Sequence, residues 1–123
     1  MVQAVGDAPA SAAPINAVAA GLDAAAAVLQ ERRDAARQRQ AVIAANPELQ
    51  ERELIKLAAL ATALADTLRQ RGVGDPAASL TAEAGIAVFR IAFERWINDA
   101  DQRGFSQLIR ESLDELKAVT AGT

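Results

Sequence analysis

Two steps in which a capping residue precedes proline, Asn46-Pro47 and Asp75-Pro76, limit where this chain can form helices. Proline disfavours helical geometry in the residue before it and fits the first turn of a new helix. At the first step, the Asn46 side chain is also placed to cap the helix that follows. Each step therefore predicts that one helix has ended and that the next begins at once.

The composition predicts an all-α fold and excludes several kinds of site. Of the 123 residues, 51% are hydrophobic but only 3% are aromatic, so alanine and leucine supply most of the apolar content. These two residues lead the helix scale, whereas β-branched and aromatic residues lead the strand scale. The absence of Cys and His excludes disulfides, thiolate or imidazole metal sites and a His-based catalytic triad. We therefore expect no metal, no cofactor and no catalytic residue.

Hydrophobic periodicity and helix-end signals predict five helices in one domain that spans residues 15–120. Residues 1–14 are rich in small residues and proline and are predicted to be a flexible lead-in. A bend is expected between residues 30 and 35, and Gly72 is predicted to end the third helix. The predicted helices run from Pro14 to about residue 30, and over residues 31–45, 48–71, 77–101 and 105–119.

The net charge of −3 does not suit a domain that grips nucleic-acid phosphates on its own. The most basic stretch, ERRDAARQRQ over residues 31–40, also contains acids. It is predicted to be a solvated helix face, with nucleic-acid contact as the alternative. No apolar run suits a membrane span, and the first residues do not follow the pattern of a secretory signal. These features are compatible with a cytoplasmic protein.

The predicted helix 77–101 is apolar on nearly all sides. One side carries bulky residues that include Ile86 and Trp96, and the other carries Leu80, Ile91 and several alanines. A helix with two apolar sides must be covered on both. One side is therefore expected in the core of its own subunit and the other against a partner. The alternative is that this helix lies at the centre of a single subunit.

No arrangement of side chains predicts catalysis. The glutamates have the spacing of ordinary helix surfaces, the serines have no candidate base, and RGVGDP lacks the lysine and the preceding strand of a phosphate loop. Arg90 is interpreted as the partner of Glu94 in a surface ion pair. The alternative is that an arginine anchors an anionic ligand or a charged group across an interface. An enzyme is not expected.

Four stretches of the chain resemble the C-terminal regulatory domain of TetR-type transcriptional regulators of actinobacteria, in the branch that includes the mycofactocin-type regulators. They are IAANPELQERE (43–53), LAALATALADTLRQRGVGDP (57–76), AEAGIAVFRIAFERW (82–96) and LIRESLDELKAV (108–119). The resemblance covers roughly residues 15–120. It implies an orthogonal five-helix domain that forms a homodimer, with the last two helices of each copy paired as a four-helix bundle. Family members bind DNA through an N-terminal helix-turn-helix, which the resemblance implies is missing from this chain.

The resemblance also implies a role and a set of site residues. The role is that of an effector-sensing and dimerisation domain of a repressor, with a mostly apolar small molecule as effector. The alternative is a helical homodimerisation or protein-interaction module without a ligand pocket. The expected ligand contacts are Ile43, Leu57, Leu60, Leu64, Phe89 and Phe93. The expected dimer contacts are Ile86, Arg90, Trp96, Phe105, Ile109, Leu113 and Leu116.

Overall fold

The chain folds into six α-helices in a computed structural model that describes residues 1–98 and 103–122. The all-α fold is confirmed, and these residues contain no strand. The prediction of five helices missed a short one near the start of the chain. The last three residues of the predicted helix 77–101 lie outside the described residues. The helices are α1 (Val2–Gly6), α2 (Pro14–Gln30), α3 (Arg33–Ala44), α4 (Pro47–Gln70), α5 (Ala77–Asn98) and α6 (Phe105–Thr120).

Residues 1–14, for which the composition predicts a flexible lead-in, include a helix that packs against the domain. Val5 of α1 is fully buried, and α1 lies against α2 and α4. A Cβ atom at Gly21 would come within 2.5 Å of a Val5 methyl carbon, so glycine is needed for this approach. Arg71 at the end of α4 donates hydrogen bonds to the carbonyl oxygens of Ala8 and Pro9 at 2.7 and 2.8 Å. Composition could not indicate these contacts, because their partners lie far along the chain.

Both ends of α4 follow from local sequence. The Asn46 side-chain oxygen accepts a hydrogen bond from the Glu48 amide at 3.0 Å, and Pro47 is the first residue of the helix, as predicted. At the other end, Gly72 has a φ of 93°, in the left-handed region. The Gly72 and Val73 amides donate hydrogen bonds back to carbonyl oxygens of the last turn at 2.9 and 3.0 Å. This pattern is the Schellman ending, for which glycine is the preferred residue.

The connections on either side of the α3–α4 pair are short. The bend expected between residues 30 and 35 is a two-residue break, since α2 ends at Gln30 and α3 begins at Arg33. The second predicted restart is also present, because α5 begins at Ala77, directly after Asp75-Pro76. With these connections, α3 can lie against α2, α4 and α5.

Helix α5 is at the centre of the fold and packs against α2, α3, α4 and α6. Where α2 meets α5, the Val18 side chain occupies the space that a Cβ atom at Gly85 would need. The two backbones can therefore approach closely. This arrangement covers one face of α5 and leaves the opposite face to solvent. The largest fully buried side chains are Trp96, Phe105, Leu22, Leu64, Leu68, Leu108 and Ile109.

Candidate functional site

The uncovered face of α5 carries an apolar stripe, here called the outward stripe, made of Leu80, Ala84, Ala87 and Ile91. Leu80 is 65% exposed and Ile91 is 47% exposed, with the two half-buried alanines between them. Single exposed leucines are ordinary, but apolar residues that share one surface of a helix are typical of an interaction site. The two apolar sides predicted for this helix are thus present in one subunit, with one side buried and the other open.

Most residues expected at a dimer interface lie in the interior of the subunit instead. Arg90 is exposed and Leu116 is half-buried, but the other five are enclosed by the chain's own helices. An enclosed side chain has little surface to offer a partner, and the contact of these five residues with a second subunit stays a prediction. Periodicity showed that α5 has two apolar sides, but it could not show which side the core would take. The five enclosed residues are Ile86, Trp96, Phe105, Ile109 and Leu113.

The structure distributes the six expected ligand contacts among different environments. Leu64 is fully enclosed in the core, and Ile43 is buried on α3. The other four are half-buried and pack against the edge of the core, two from α4 and two from α5. These four are Leu57, Leu60, Phe89 and Phe93.

Two surface clefts border α3. The cleft between α3 and α4 has a volume of about 440 Å³ and mixes apolar with charged residues. The other cleft, of about 480 Å³, is formed by residues 30–35 at the break between α2 and α3. Of the six expected ligand contacts, Ile43 is the one that lines either cleft. The α3–α4 cleft is lined by Arg39, Val42, Ile43, Leu49, Arg52, Glu53 and Lys56.

Four aromatic side chains near the end of α5, here called the aromatic cluster, contact one another. The rings of Trp96 and Phe105 stack with their centroids 4.7 Å apart and their planes 8° from parallel. The Phe93 ring lies 5.8 Å from Trp96 and 5.9 Å from Phe105, and the Phe89 ring lies 5.4 Å from Phe105. The cluster joins two expected ligand contacts, Phe89 and Phe93, to two expected dimer contacts. Helix periodicity could not place Phe105 with the other three, because Phe105 comes from α6.

The aromatic cluster contains one polar side-chain atom, the indole Nε1 of Trp96. Trp96 is fully buried, and its Nε1 has no hydrogen-bond partner among the described residues. Within the same part of the chain, the buried hydroxyl of Ser112 on α6 also lacks a partner. A buried donor without an acceptor costs about 1–3 kcal/mol, and buried tryptophans usually find a partner. The Trp96 N–H is therefore an unused donor in an apolar environment.

The basic stretch over residues 31–40 holds the end of α5. Arg33 donates two hydrogen bonds to the Trp96 carbonyl oxygen at 3.2 and 3.1 Å, and Arg37 donates one to the Ile97 carbonyl oxygen at 2.6 Å. Cations near the last carbonyls of a helix are favoured by the helix dipole. The prediction of a merely solvated face missed this role, because the carbonyl groups lie far along the chain from the arginines.

An exposed polar network joins the end of α4 to the start of α5. Arg69 donates hydrogen bonds to the two carboxylate oxygens of Asp75 at 2.9 and 3.1 Å, and to Asp66 at 2.7 Å. The Ser79 hydroxyl also donates to Asp75 at 3.2 Å. The hydrogen bond from Arg69 is the main reason that the pKa of the Asp75 carboxyl lies below its ordinary value of 3.8.

Arg90 does not form the ion pair expected with Glu94 among the described residues. Its neighbour Arg95 pairs with Glu111 of α6 at 3.4 Å instead, and Glu111 also pairs with Arg103 at 3.0 Å. Arg90 is exposed, so it leaves a positive charge beside the outward stripe.

The described residues include no group of three or more acidic side chains that could hold a metal ion. Within the same part of the chain, no helix is both long enough and apolar enough to cross a membrane. The chemistry available at the outward stripe and the aromatic cluster is apolar contact, with the Arg90 guanidinium and the Trp96 N–H as nearby polar groups.

Comparison with known proteins identifies the family. The family described as the MftR C-terminal domain matches residues 12–121. The match spans every helix from α2 to α6. No curated protein matches the chain. The chain therefore belongs to this family of TetR-type C-terminal domains.

Proposed function

We propose that this chain is the effector-sensing and dimerisation domain of a TetR-type transcriptional repressor. Membership of the family supports a regulatory role rather than an enzymatic one. The observation that carries the proposal is the outward stripe, an apolar surface left open beside a complete core. The occupant that we propose for this surface is a second copy of the chain.

The outward stripe is symmetric about its midpoint, which suits pairing with an identical helix. Its residues follow one another at spacings of four, three and four, with large side chains at both ends and alanines between them. In a two-fold contact, if residue i of one subunit meets residue j of the other, then residue j of the first also meets residue i of the second. When two copies of α5 run antiparallel, Leu80 of each copy lies opposite Ile91 of the other. The small Ala84 and Ala87 then let the two backbones approach at the crossing.

Two charged residues beside the outward stripe are centred one residue further along α5 than the stripe itself. Glu83 and Arg90 are both exposed, and they flank the midpoint of the stripe on one side of α5. Antiparallel pairing brings Glu83 of one subunit near Arg90 of the other. Complementary charges fix the orientation of partners, and opposed like charges suppress the wrong one. These two residues therefore favour antiparallel over parallel pairing of the α5 helices.

The effector in this proposal is a mostly apolar molecule, because the half-buried residues at the edge of the core are aliphatic or aromatic. DNA binding belongs to a helix-turn-helix elsewhere in the same regulator, since a net charge of −3 does not suit phosphate binding by this domain alone. The regulator acts in the cytoplasm, where its operator is located. If no apolar molecule binds, the chain is a dimerisation module without a ligand pocket.

A matched pair of leucine variants tests the interface by sedimentation velocity. Leu80 on α5 is 65% exposed and Leu54 on α4 is 66% exposed, so glutamate at either position adds the same charge at equal exposure. We expect the wild type and Leu54→Glu to be dimers. We expect Leu80→Glu to be a folded monomer, because dimerisation would bury a charge without a partner. Circular dichroism checks that both variants keep their helices.

Two outcomes would contradict the proposed interface. A dimeric Leu80→Glu variant would show that the copies do not meet at the outward stripe. A wild type that stays monomeric at high protein concentration would remove dimerisation from the proposed function.

A further inference from the structure

The indole N–H of Trp96 is a buried hydrogen-bond donor for which the described part of the chain supplies no acceptor. Trp96 is the single tryptophan of the chain and is fully buried, yet its Nε1 has no partner within residues 1–98 and 103–122. An unpaired buried donor lowers stability, and pairing it recovers the lost free energy. Each such group in a native structure calls for an explanation, such as a water or another bound species. A molecule that presents an acceptor to Trp96 Nε1 would recover this free energy on binding.

The surroundings of this donor indicate the chemistry of the acceptor. Phe105 stacks on Trp96 with ring centroids at 4.7 Å, and Phe93 lies 5.8 Å away. An ionised group would lose its hydration among these rings without gaining a counter-charge from them. A neutral carbonyl oxygen therefore suits the donor better than a carboxylate. Rings that already pack by stacking and tilting also favour a ligand with a flat apolar body.

One side of the aromatic cluster is held in place by polar contacts. The carbonyl oxygens at the end of α5 accept hydrogen bonds from two arginines of α3. The amide at the start of α6 donates to a glutamine at the end of α2 at 2.7 Å. These contacts fix the backbone that carries the stacked pair of rings. Arg33 donates to the Trp96 carbonyl oxygen, and Arg37 donates to the Ile97 carbonyl oxygen. The Phe105 amide donates to Gln30 Oε1.

The other side of the aromatic cluster reaches the surface. Phe89 and Phe93 are half-buried, and neither side chain can donate or accept a conventional hydrogen bond. Partly exposed side chains change rotamer far more readily than enclosed ones. Rotation of these two rings would open the cluster while the backbone around Trp96 stays in place.

We propose that the aromatic cluster is an effector site in which Trp96 Nε1 donates a hydrogen bond to a neutral carbonyl oxygen of the effector. The effector is then a flat, mostly apolar molecule with a carbonyl group, of the class of the aryl ketones. It enters between Phe89 and Phe93 and stacks against the Trp96–Phe105 pair. This assignment rests on the proposed effector-sensing function and names the chemistry that it recognises.

The single tryptophan permits a direct test by nuclear magnetic resonance, because isotope-labelled protein gives one indole N–H cross-peak. The probes are methyl naphthyl ketone and ethylnaphthalene, which have similar shapes and differ in the carbonyl oxygen. We expect the ketone to move the cross-peak downfield, as a new hydrogen bond does, and the hydrocarbon to move it much less. A cross-peak that saturating ketone leaves in place would overturn the inference, and the donor would then be unpaired or bonded to water only.

A variant provides a second readout by titration calorimetry. Trp96→Phe removes the N–H and keeps an aromatic ring, so we expect the ratio of ketone affinity to hydrocarbon affinity to fall about tenfold. The control is Phe89→Leu, which removes a ring but not the donor and should lower both affinities together. An unchanged ratio in Trp96→Phe would overturn the inference.

The two proposals fail in distinguishable ways. If the Leu80 and Leu54 variants behave as expected but the ketone leaves the indole cross-peak in place, the site assignment is wrong and dimerisation stands. If neither probe binds, this inference fails, and dimerisation is still judged by sedimentation alone.

Discussion

The two faces of α5 are built from similar residues and have opposite environments. The inner face encloses Gly85, Ala92 and Trp96 among the neighbouring helices, whereas the outward stripe leaves Leu80 and Ile91 exposed. Apolar residues create a need for cover on each face. The contrast shows that the subunit itself covers only one face of α5, because the four helices that pack against α5 leave the other face open.

Small residues show the same contrast. On the inner face, Val18 occupies the space that a side chain at Gly85 would need, so the glycine is used by the fold itself. On the outer face, Ala84 and Ala87 remain partly open. Their small size matters only when a second helix crosses them. The same residue class thus serves the fold on one face and, in our proposal, the dimer on the other.

Glutamate substitutions on the two faces of α5 should have the largest effects, one on stability and the other on dimerisation. Ala92 is fully enclosed, whereas Ala87 belongs to the outward stripe. We expect Ala92→Glu to lower the free energy of unfolding by more than about 4 kcal/mol, because it buries a charge without a partner. We expect Ala87→Glu to keep the fold and lose the dimer. Urea unfolding and sedimentation measure the two effects, and a stable Ala92→Glu variant would contradict the inner-face assignment.

Replacing Gly85 with alanine tests how closely the inner face of α5 packs against α2. Alanine normally stabilises a helix interior by about 1 kcal/mol over glycine. Here its Cβ would overlap a Val18 methyl, and a β-branched side chain has little freedom to rotate away. We therefore expect Gly85→Ala to lower the free energy of unfolding by about 1–3 kcal/mol.

The control for this prediction is the same substitution made in a Val18→Ala background. With the methyl group gone, Gly85→Ala should be much less harmful there and can become stabilising. Urea unfolding of the four proteins gives the coupling between the two sites. Simple additivity would show that contact with Val18 is not the reason for glycine at this position.

The smallest effect on stability is expected for Asp75, in the exposed turn just before α5. The Arg69 hydrogen bond lowers the pKa of the Asp75 carboxyl below its ordinary value of 3.8. A carboxyl whose pKa is lowered by folding stabilises the protein above its ordinary pKa, and this contribution is lost as the pH falls through the lowered value. Asp75→Asn should therefore lower the melting temperature slightly at neutral pH, and the difference from the wild type should vanish in strong acid.

Melting curves at neutral and at strongly acid pH check this prediction. Asp114→Asn, on the exposed side of α6, is the control for removing one surface carboxylate. If Asp75→Asn lowered the melting temperature by the same amount at both pH values, the ionised carboxylate would not be what stabilises the turn.

The helix ends that depend on neighbouring residues could be predicted from the sequence. Asn46 caps α4, Pro47 begins it and Gly72 closes it, because capping and left-handed geometry involve atoms within a few residues. The family resemblance covered the same region as the matched family, from α2 to α6. The two apolar sides of α5 could also be predicted, since side-chain periodicity is a local property.

The contacts that build the candidate sites could not be predicted in the same way. The Trp96–Phe105 stack, the arginines at the end of α5 and the docking of Val5 each join residues that lie far apart in the chain. Periodicity placed Ile109 and Leu113 on an apolar face, but the structure shows that the chain's own core uses it. No local signal distinguishes an apolar face that meets the core from one that meets a partner.

The sequence by itself determined that this protein is all-α, where most of its helices begin and end, and that α5 has more apolar surface than one neighbour can cover. These properties follow from backbone preferences and from the period of a single helix. Only the tertiary structure decided that Trp96 and its aromatic neighbours lie inside and that the outward stripe lies outside. Burial depends on which remote segments meet, and that is a property of the whole packed chain.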